Sequence, residues 1–298
     1  MSVGPTVRRR RLGSELRRLR EARSIKLEEV AEQLGLAACT LSRIETGKAP
    51  TRTAYLYTML DMYGVTEPAQ RQVLVEMARE GHRKGWWAAW ERVLPTGFDV
   101  YVGLEAEASS LRAFESLVVH GLLQTEEYAR SVMSTVRRKL SLQEIDALVA
   151  LRMQRQDAIL RAEPLDLWLI LDEAVIRRTM GPPGLMRRQF LHLAEASQWP
   201  NVTLQVLPFS SGPHPSLNGP FCIIEFPERF DPDVVYAEGV HGHAYLERER
   251  DVRACAEAFD LLRAAALSPA DTTELISGLA RSTDLIEERN TSDDSRPQ

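Results

Sequence analysis

Between Ala38 and Pro50 the chain reads ACTLSRIETGKAP. Thr40 and Arg43 share one side of a short helix, while Leu41 and Ile44 share the opposite side and can face a core. Gly47 is placed to end that helix in a left-handed conformation, and Lys48 follows it as a mobile cation. Cations on an exposed helix can neutralise phosphates. A helix of about two turns does not stand alone, because nucleation costs more than so few hydrogen bonds return. Other elements must hold it out.

Four further groups have chemistry to offer. His214, His241 and His243 lie near Glu238, and the H-G-H pair puts two imidazoles on one face of an extended segment, which suits zinc with Glu238 as a third ligand or a base. No H-E-x-x-H pattern accompanies them, so they are expected to be loop histidines; neither a metal nor catalysis is expected, and the chain is not expected to be an enzyme. Arg152, Arg155 and Gln156 share a helix face, and paired guanidiniums suit carboxylates, either on an acidic partner or in an internal acidic cluster. Asp172 and Glu173 are expected to cap a helix over Ala174–Arg178. Trp86 and Trp90 are four apart beside Trp87 and are expected to pack on one another at a domain junction.

The elements around the opening helix come in a definite order. Met1–Val7 and Arg8–Arg11 read as a flexible basic arm that would lie along phosphates. A helix starts at Leu12, with Leu12, Leu16 and Leu19 inward and Arg17, Arg18 and Arg23 outward. Glu28–Leu34 forms a second helix, closed at Gly35, and the opening helix follows directly, which is helix-turn-helix order. Helices over Thr53–Tyr63 and Glu67–Gly81 complete a five-helix bundle.

Behind it, Leu104–Val118 reads as helix. Thr125 caps another helix, and Ser141 with Glu144 forms a capping box that opens a long helix to about Arg161. Strands are expected at Leu165–Leu171, Val202–Leu207, Phe221–Phe226 and Val234–Ala237, with helices at Pro182–Ser197, Leu246–Leu267 and Pro269–Ala280. This pattern points to an α+β domain with an antiparallel sheet. The expected divisions are a basic arm at 1–11, a helix-turn-helix domain at 12–82, a Trp-rich junction at 83–99, an α+β domain at 100–285 and a disordered tail at 286–298.

Charge follows the same division. Residues 1–85 carry 16 Lys and Arg against 10 Asp and Glu, a net +6, which leaves −11 for the rest. Cys39, Cys222 and Cys255 show no C-x-x-C spacing, so neither a disulfide framework nor a zinc site is indicated. No apolar run has the length of a membrane span, and no signal-peptide pattern is present. A cytoplasmic protein, nucleoid-associated when bound to DNA, is expected.

Arg20, Ala31, Gly35, Ser42, Arg43, Ile44, Glu45, Gly47 and Pro50 fall in a register that resembles the lambda-repressor-like, XRE-type helix-turn-helix family over residues 12–64. The resemblance implies that Ala38, Cys39 and Arg43 point at base edges in the major groove, with Ser42 on the same DNA-facing helix and Thr40 and Thr46 near phosphates. It also implies an internal ion pair of Arg20 with Glu45. Many family members open helix two with Thr-Gln, where this chain has Lys26 and Leu27. Lys26 can still neutralise a phosphate; Leu27 cannot donate. Ala37 stands where a Ser or Thr usually caps helix three, a loss of about 1 kcal/mol.

Ala38 and Cys39 offer at most apolar contact with a thymine methyl, so Arg43 alone can grip a guanine with two bonds. Affinity would then lean on phosphates met by the arm, Lys26, Lys48 and Arg52. Specificity would need two half-sites, hence a homodimer on double-stranded DNA.

A second resemblance covers residues 100–280. G-L-L-Q-T at Gly121–Thr125 with Tyr128 and Ala129, R-x-x-R-Q at Arg152–Gln156, L-D-E at Leu171–Glu173, Q-V-L-P-F at Gln205–Phe209 and V-Y-x-E at Val235–Glu238 are similar to the partner or sensor domain of actinobacterial antitoxin-like XRE regulators. Members usually carry a proline where this chain has His120. The resemblance implies a DNA-binding regulator whose back domain receives a protein or small-molecule signal. The alternative is an antitoxin-like interaction protein that binds a small acidic partner and controls its own operon.

Overall fold

The computed structural model describes residues 5–82, 85–182, 184–227, 232–239 and 242–293. The chain forms two compact units, Met1–Glu107 with Pro227–Asp231, and Ala108–Phe226 with Pro232–Gln298. No helix among the described residues is long and apolar enough to cross a membrane.

The first unit is helical: α1 (Pro5–Ala22), α2 (Leu27–Gln33), α3 (Ala38–Glu45), α4 (Thr53–Met62), α5 (Pro68–Gly81), a 3-10 turn at Trp86–Trp90 and α6 (Phe98–Glu107). Leu12, Leu16, Val30, Leu41, Ile44, Leu56, Met59, Leu60, Tyr63 and Leu74 meet in one core, the inward stripes of the first five helices. The expected bundle is not closed by five helices, because α6 also packs on α1.

Residues 5–11 correct the expected arm. They are the start of α1, with Thr6, Val7 and Arg10 all buried. The cause lies far along the chain: the Glu107 carboxylate accepts from the backbone N–H groups of Thr6 (3.3 Å) and Val7 (2.8 Å), satisfying donors that a helix start leaves open. Arg8 pairs with Glu80, and Asp99 and Glu107 stand near Arg9. In the 3-10 turn, Trp86 meets Trp87 and Trp90 edge to face at 5.9 and 5.8 Å, so the three rings pack on each other.

The second unit holds β1 (Ser110–Glu115), α7 (Glu126–Val136), α8 (Leu142–Arg155), α9 (Asp157–Leu160), β2 (Asp166–Asp172), α10 (Glu173–Arg177), α11 (Leu185–Ala196), β3 (Val202–Leu207), β4 (Phe221–Glu225), β5 (Val234–Gly239), β6 (Gly242–Leu246), α12 (Glu249–Ala265) and α13 (Pro269–Asp293). The strands form one sheet in the order β3-β2-β1-β4-β5-β6. It is mixed, not antiparallel as expected: β1, β2 and β3 run parallel, joined by helical crossovers, while β4, β5 and β6 are antiparallel. Phe114, Ile170, Ile223 and Val235 line one face against Phe259 and Leu262 of α12.

Four boundaries depart from expectation. The run read as helix over Leu104–Val118 ends as α6 and turns at Ala108–Ser109 into β1, a central strand whose Leu111, Ala113 and Phe114 are fully buried between two neighbours. The long helix to Arg161 breaks at Gln156 into α8 and α9. Residues 242–246 pair with β5, so α12 begins only at Glu249. The last helix continues to Asp293, through part of the expected tail; residues 294–298 lie outside the described residues.

Candidate nucleic-acid interface

α3 begins at Ala38 behind Ala37, whose side chain makes no capping bond, and is closed beyond Thr46 by Gly47 at φ +68°. Lys48 and Ala49 donate their backbone N–H groups to the Arg43 carbonyl at 2.8 and 3.0 Å, completing the turn. Leu41 and Ile44 are buried, and Cys39, Ser42 and Arg43 are exposed on the other side with Thr46 half-buried below them. Spacing by three and four residues puts these four on one stripe. Ala38 and Thr40 are half-buried on its flanks, and Lys26, Lys48 and Arg52 are exposed around it.

The stripe is held by a strut. Arg20 donates from Nε and Nη2 to the two Glu45 carboxylate oxygens at 2.7 and 2.8 Å, and from Nη1 to the Ile25 carbonyl at 3.0 Å. Both side chains are nearly out of solvent, at 9% and 3% exposure. One guanidinium thus ties α1, the turn before α2 and the end of α3, in the fork geometry that only arginine supplies.

The surrounding charges divide into spent and unspent. Arg17 pairs with Glu21 and Arg18 with Glu15, along α1. Among the described residues, Arg43 and Lys48 form no ion pair; the Arg52 guanidinium lies 5.8 Å from the centre of the Tyr55 ring, still exposed. Thr46 donates both its hydroxyl (2.8 Å) and its backbone N–H (3.0 Å) to the Ser42 carbonyl, so its donors are spent within the helix end rather than turned to phosphate. Lys26 donates its backbone N–H to Glu29 at 3.4 Å and keeps its ammonium outside. Leu27, which replaces a polar contact, packs against the core.

Gly13 was not singled out by the sequence, although a glycine inside a helical pattern is a signal. A Cβ there would lie 2.5 Å from the Ile44 carbonyl oxygen and 2.6 Å from that of Glu45. The absent side chain lets α1 lie directly on the end of α3.

In the second unit the arginine face turns inward. Arg152 donates to the Gln124 side chain at 2.7 Å, Gln156 donates to the carbonyls of Gly121 (3.0 Å) and Gln124 (2.7 Å), and Arg155 is buried. Gln189, also buried, donates to the Leu123 carbonyl and accepts from Thr125 N–H. G-L-L-Q-T is therefore a loop held by side-chain amides. His120, in the place of a proline, keeps φ at −56° and accepts from Leu122 N–H at 3.4 Å, so the turn survives the replacement.

Glu115 faces the same groups. Burial, then repulsion from Glu238, pushes its carboxyl up to about 8, against the opposing pull of Arg152 and Arg155. A carboxyl raised in the folded state gives stability that is full below its unfolded value and is lost as pH climbs through the folded one. Urea denaturation of the second unit is therefore expected to show stability falling between about pH 4.5 and 8, and Glu115→Gln is expected to flatten that fall; an unchanged slope in the variant would refute the assignment.

The histidines do not gather. His214 lies 3.8 Å from Asp172 and edge-on to Phe114, whereas His243 packs with Tyr236 and Tyr245; His241 lies outside the described residues. No group of three His, Cys, Asp or Glu among the described residues is disposed to hold a metal. Asp172 accepts from Ala174 N–H at 2.8 Å and caps α10, as expected.

A short helix offered outward by two others, with its polar stripe free, defines a helix-turn-helix unit, and a family described as a helix-turn-helix domain matches residues 11–74. This supports a DNA-binding regulator with DNA as a partner. A second family, described as a domain of unknown function (DUF5753), matches residues 98–278, and the chain belongs to it. Searches of curated proteins and of solved structures give no match.

Proposed function

We propose that this protein is a sequence-specific, XRE-type transcription regulator. It binds two half-sites of double-stranded DNA as a homodimer, and its second unit receives a protein or small-molecule signal rather than performing catalysis. The observation that carries this is Arg43: an exposed guanidinium without an ion pair among the described residues, on a helix whose opposite side is locked to the core through Glu45. Such a group is free to take both acceptors of a guanine edge.

Because Cys39 and Ala38 add only apolar contact, base reading per monomer is narrow, and phosphate contacts from Lys26, Lys48 and Arg52 supply much of the affinity. With residues 5–11 folded into α1, the arm supplies less than its four arginines suggest. Arg43→Ala is expected to lose about 1–3 kcal/mol of discrimination at one base pair per half-site. Lys48→Ala is expected to weaken all sequences alike and to lower the salt slope by about 1 per monomer. Anisotropy titrations on a selected and a scrambled duplex separate the two. Equal losses on both duplexes for Arg43→Ala would remove Arg43 from base recognition.

The partner-capture alternative gains nothing from Arg152, Arg155 and Gln156, which are engaged inside their own unit.

A further inference from the structure

On the face of the sheet that α12 packs against, the side chains change character along the strands. Toward the carboxyl ends of β1 and β2, Phe114 and Ile170 lie under Phe259 and Leu262. Two and four residues earlier come Arg112 and Ser110 on β1, and Trp168 and Asp166 on β2, which strand alternation puts on the same face. The register sets Ser110 beside both Asp166 and Glu225, and Trp168 beside both Arg112 and Thr203. A cavity of about 330 Å³ is lined by these six residues, with Pro200 and Asn201 in its wall. All of them belong to the second unit.

Most of this lining is fixed by its own contacts. Arg112 donates from Nη2 to one Glu225 oxygen at 2.6 Å, and Ser110 donates to the other. The Arg112 guanidinium lies 5.7 Å from the centre of the Phe259 ring, which meets Trp168 edge to face at 6.2 Å. Trp168 donates its indole N–H to Gln205 at 2.8 Å and has Arg263 over its ring at 5.1 Å. Such supports pre-organise a site. Among the described residues, three groups are left over: Arg112 Nε, buried with no hydrogen-bond partner, the exposed Asp166 carboxylate, which forms no ion pair, and the Thr203 hydroxyl. A buried N–H of a charged group is costly without an acceptor.

We propose that this cavity binds a free α-amino acid with an apolar side chain. The ligand carboxylate accepts from Arg112 Nε and the Thr203 hydroxyl, the ammonium donates to Asp166, and the apolar side chain lies against Trp168 and Pro200. Charge selects the class. An anion alone would meet Asp166 and Glu225, and an amine alone would leave Arg112 Nε without an acceptor. Diagonal places on neighbouring strands, such as those of Asp166 and Arg112, stand about 8 Å apart. An ammonium and a carboxylate on one carbon, each with its hydrogen bond, span that distance. Volume sets the size: at about 30 Å³ for each water-sized group, the cavity takes roughly ten non-hydrogen atoms. Leucine, methionine and phenylalanine are of that order. The inference rests on the signal-receiving role proposed for the second unit and gives that signal a chemical class.

Calorimetric titration of the full-length protein, without DNA, tests it with leucine, methionine and phenylalanine. At least one is expected to bind at one per chain. Phenethylamine, which lacks the carboxylate, and N-acetylphenylalanine, which lacks the ammonium, are expected to bind at least tenfold more weakly than phenylalanine. Asp166→Asn, at an exposed position, is expected to leave the melting curve unchanged and to weaken amino-acid binding at least tenfold. Arg112→Lys keeps a cation for Glu225 but removes the Nε donor, and is expected to do the same. No binding by any of the three, equal binding of phenethylamine, or binding indifferent to Asp166→Asn would overturn the inference. Sequence-specific DNA binding without amino-acid binding would overturn it alone, whereas amino-acid binding by a chain that binds no DNA would overturn only the regulator proposal.

Discussion

Glu45→Ala is expected to destabilise the first unit by about 3 kcal/mol, the lower end for breaking a buried ion pair. The loss is not mainly the attraction between the charges. It is the guanidinium of Arg20 left in a site built for two carboxylate oxygens at 2.7 and 2.8 Å. The lower end applies because Arg20 keeps its bond to the Ile25 carbonyl and lies 3.7 Å from Glu21. For a unit of this size that corresponds to roughly 10–20 °C in melting temperature. Arg20→Met combined with Glu45→Leu is expected to recover most of the loss, since a well-packed apolar pair replaces a buried ion pair at little cost. Hydrogen exchange of the α1 and α3 amides reads the effect locally. Unchanged protection in Glu45→Ala would show that the pair holds nothing.

Gly13→Ala is expected to cost about 2 kcal/mol net, and Gly13→Val distinctly more. Two terms oppose each other in the alanine variant. Alanine gains about 1 kcal/mol in helix propensity over glycine. Against this, its methyl group would meet the carbonyl oxygens of Ile44 and Glu45 at 2.5 and 2.6 Å, both backbone atoms that no rotamer change can move. Overpacking of that kind costs about 3 kcal/mol and wins. Valine adds bulk and loses the propensity gain. Gly35→Ala is the contrast: open space surrounds that position, so the cost comes from its φ of +64° alone, about 1–2 kcal/mol. Thermal melts of the three variants should rank Gly35→Ala, Gly13→Ala, Gly13→Val in increasing loss. A Gly13→Ala protein as stable as the parent would mean that α1 and α3 do not approach so closely.

What could be read from the sequence was what local chemistry decides. The turns at Gly35 and Gly47, the inward pair Leu41 and Ile44, and the caps at Thr125, Ser141 and Asp172 each depend on a few neighbouring residues. Arg20 and Glu45, 25 positions apart, became visible through the family register and stand in the expected contact.

Distant partners stayed hidden. The start of α1 depends on Glu107, a hundred residues away, so Arg8–Arg11 looked like a solvated arm. β1 was obscured because Glu- and Ala-rich sequence runs into it, and a strand buried on both faces shows no alternation. The parallel half of the sheet followed the same rule. Leu167–Leu171 has the character of a strand, but its direction relative to β1 is set by the crossover through α7, α8 and α9. The arginine face on α8 was legible as a face; that it turns toward Gln124 and Glu115 was decided by packing.

DNA binding as a function of salt tests the proposed function most directly. The full-length chain is titrated by fluorescence anisotropy against a duplex selected from a random pool and against its scrambled counterpart, between 50 and 200 mM salt. Six phosphate contacts, three from each monomer through Lys26, Lys48 and Arg52, are expected to lower the affinity about a thousandfold over that range. Preference for the selected duplex should persist until binding is lost. Absence of binding at 50 mM, or equal affinity for both duplexes throughout, would contradict it.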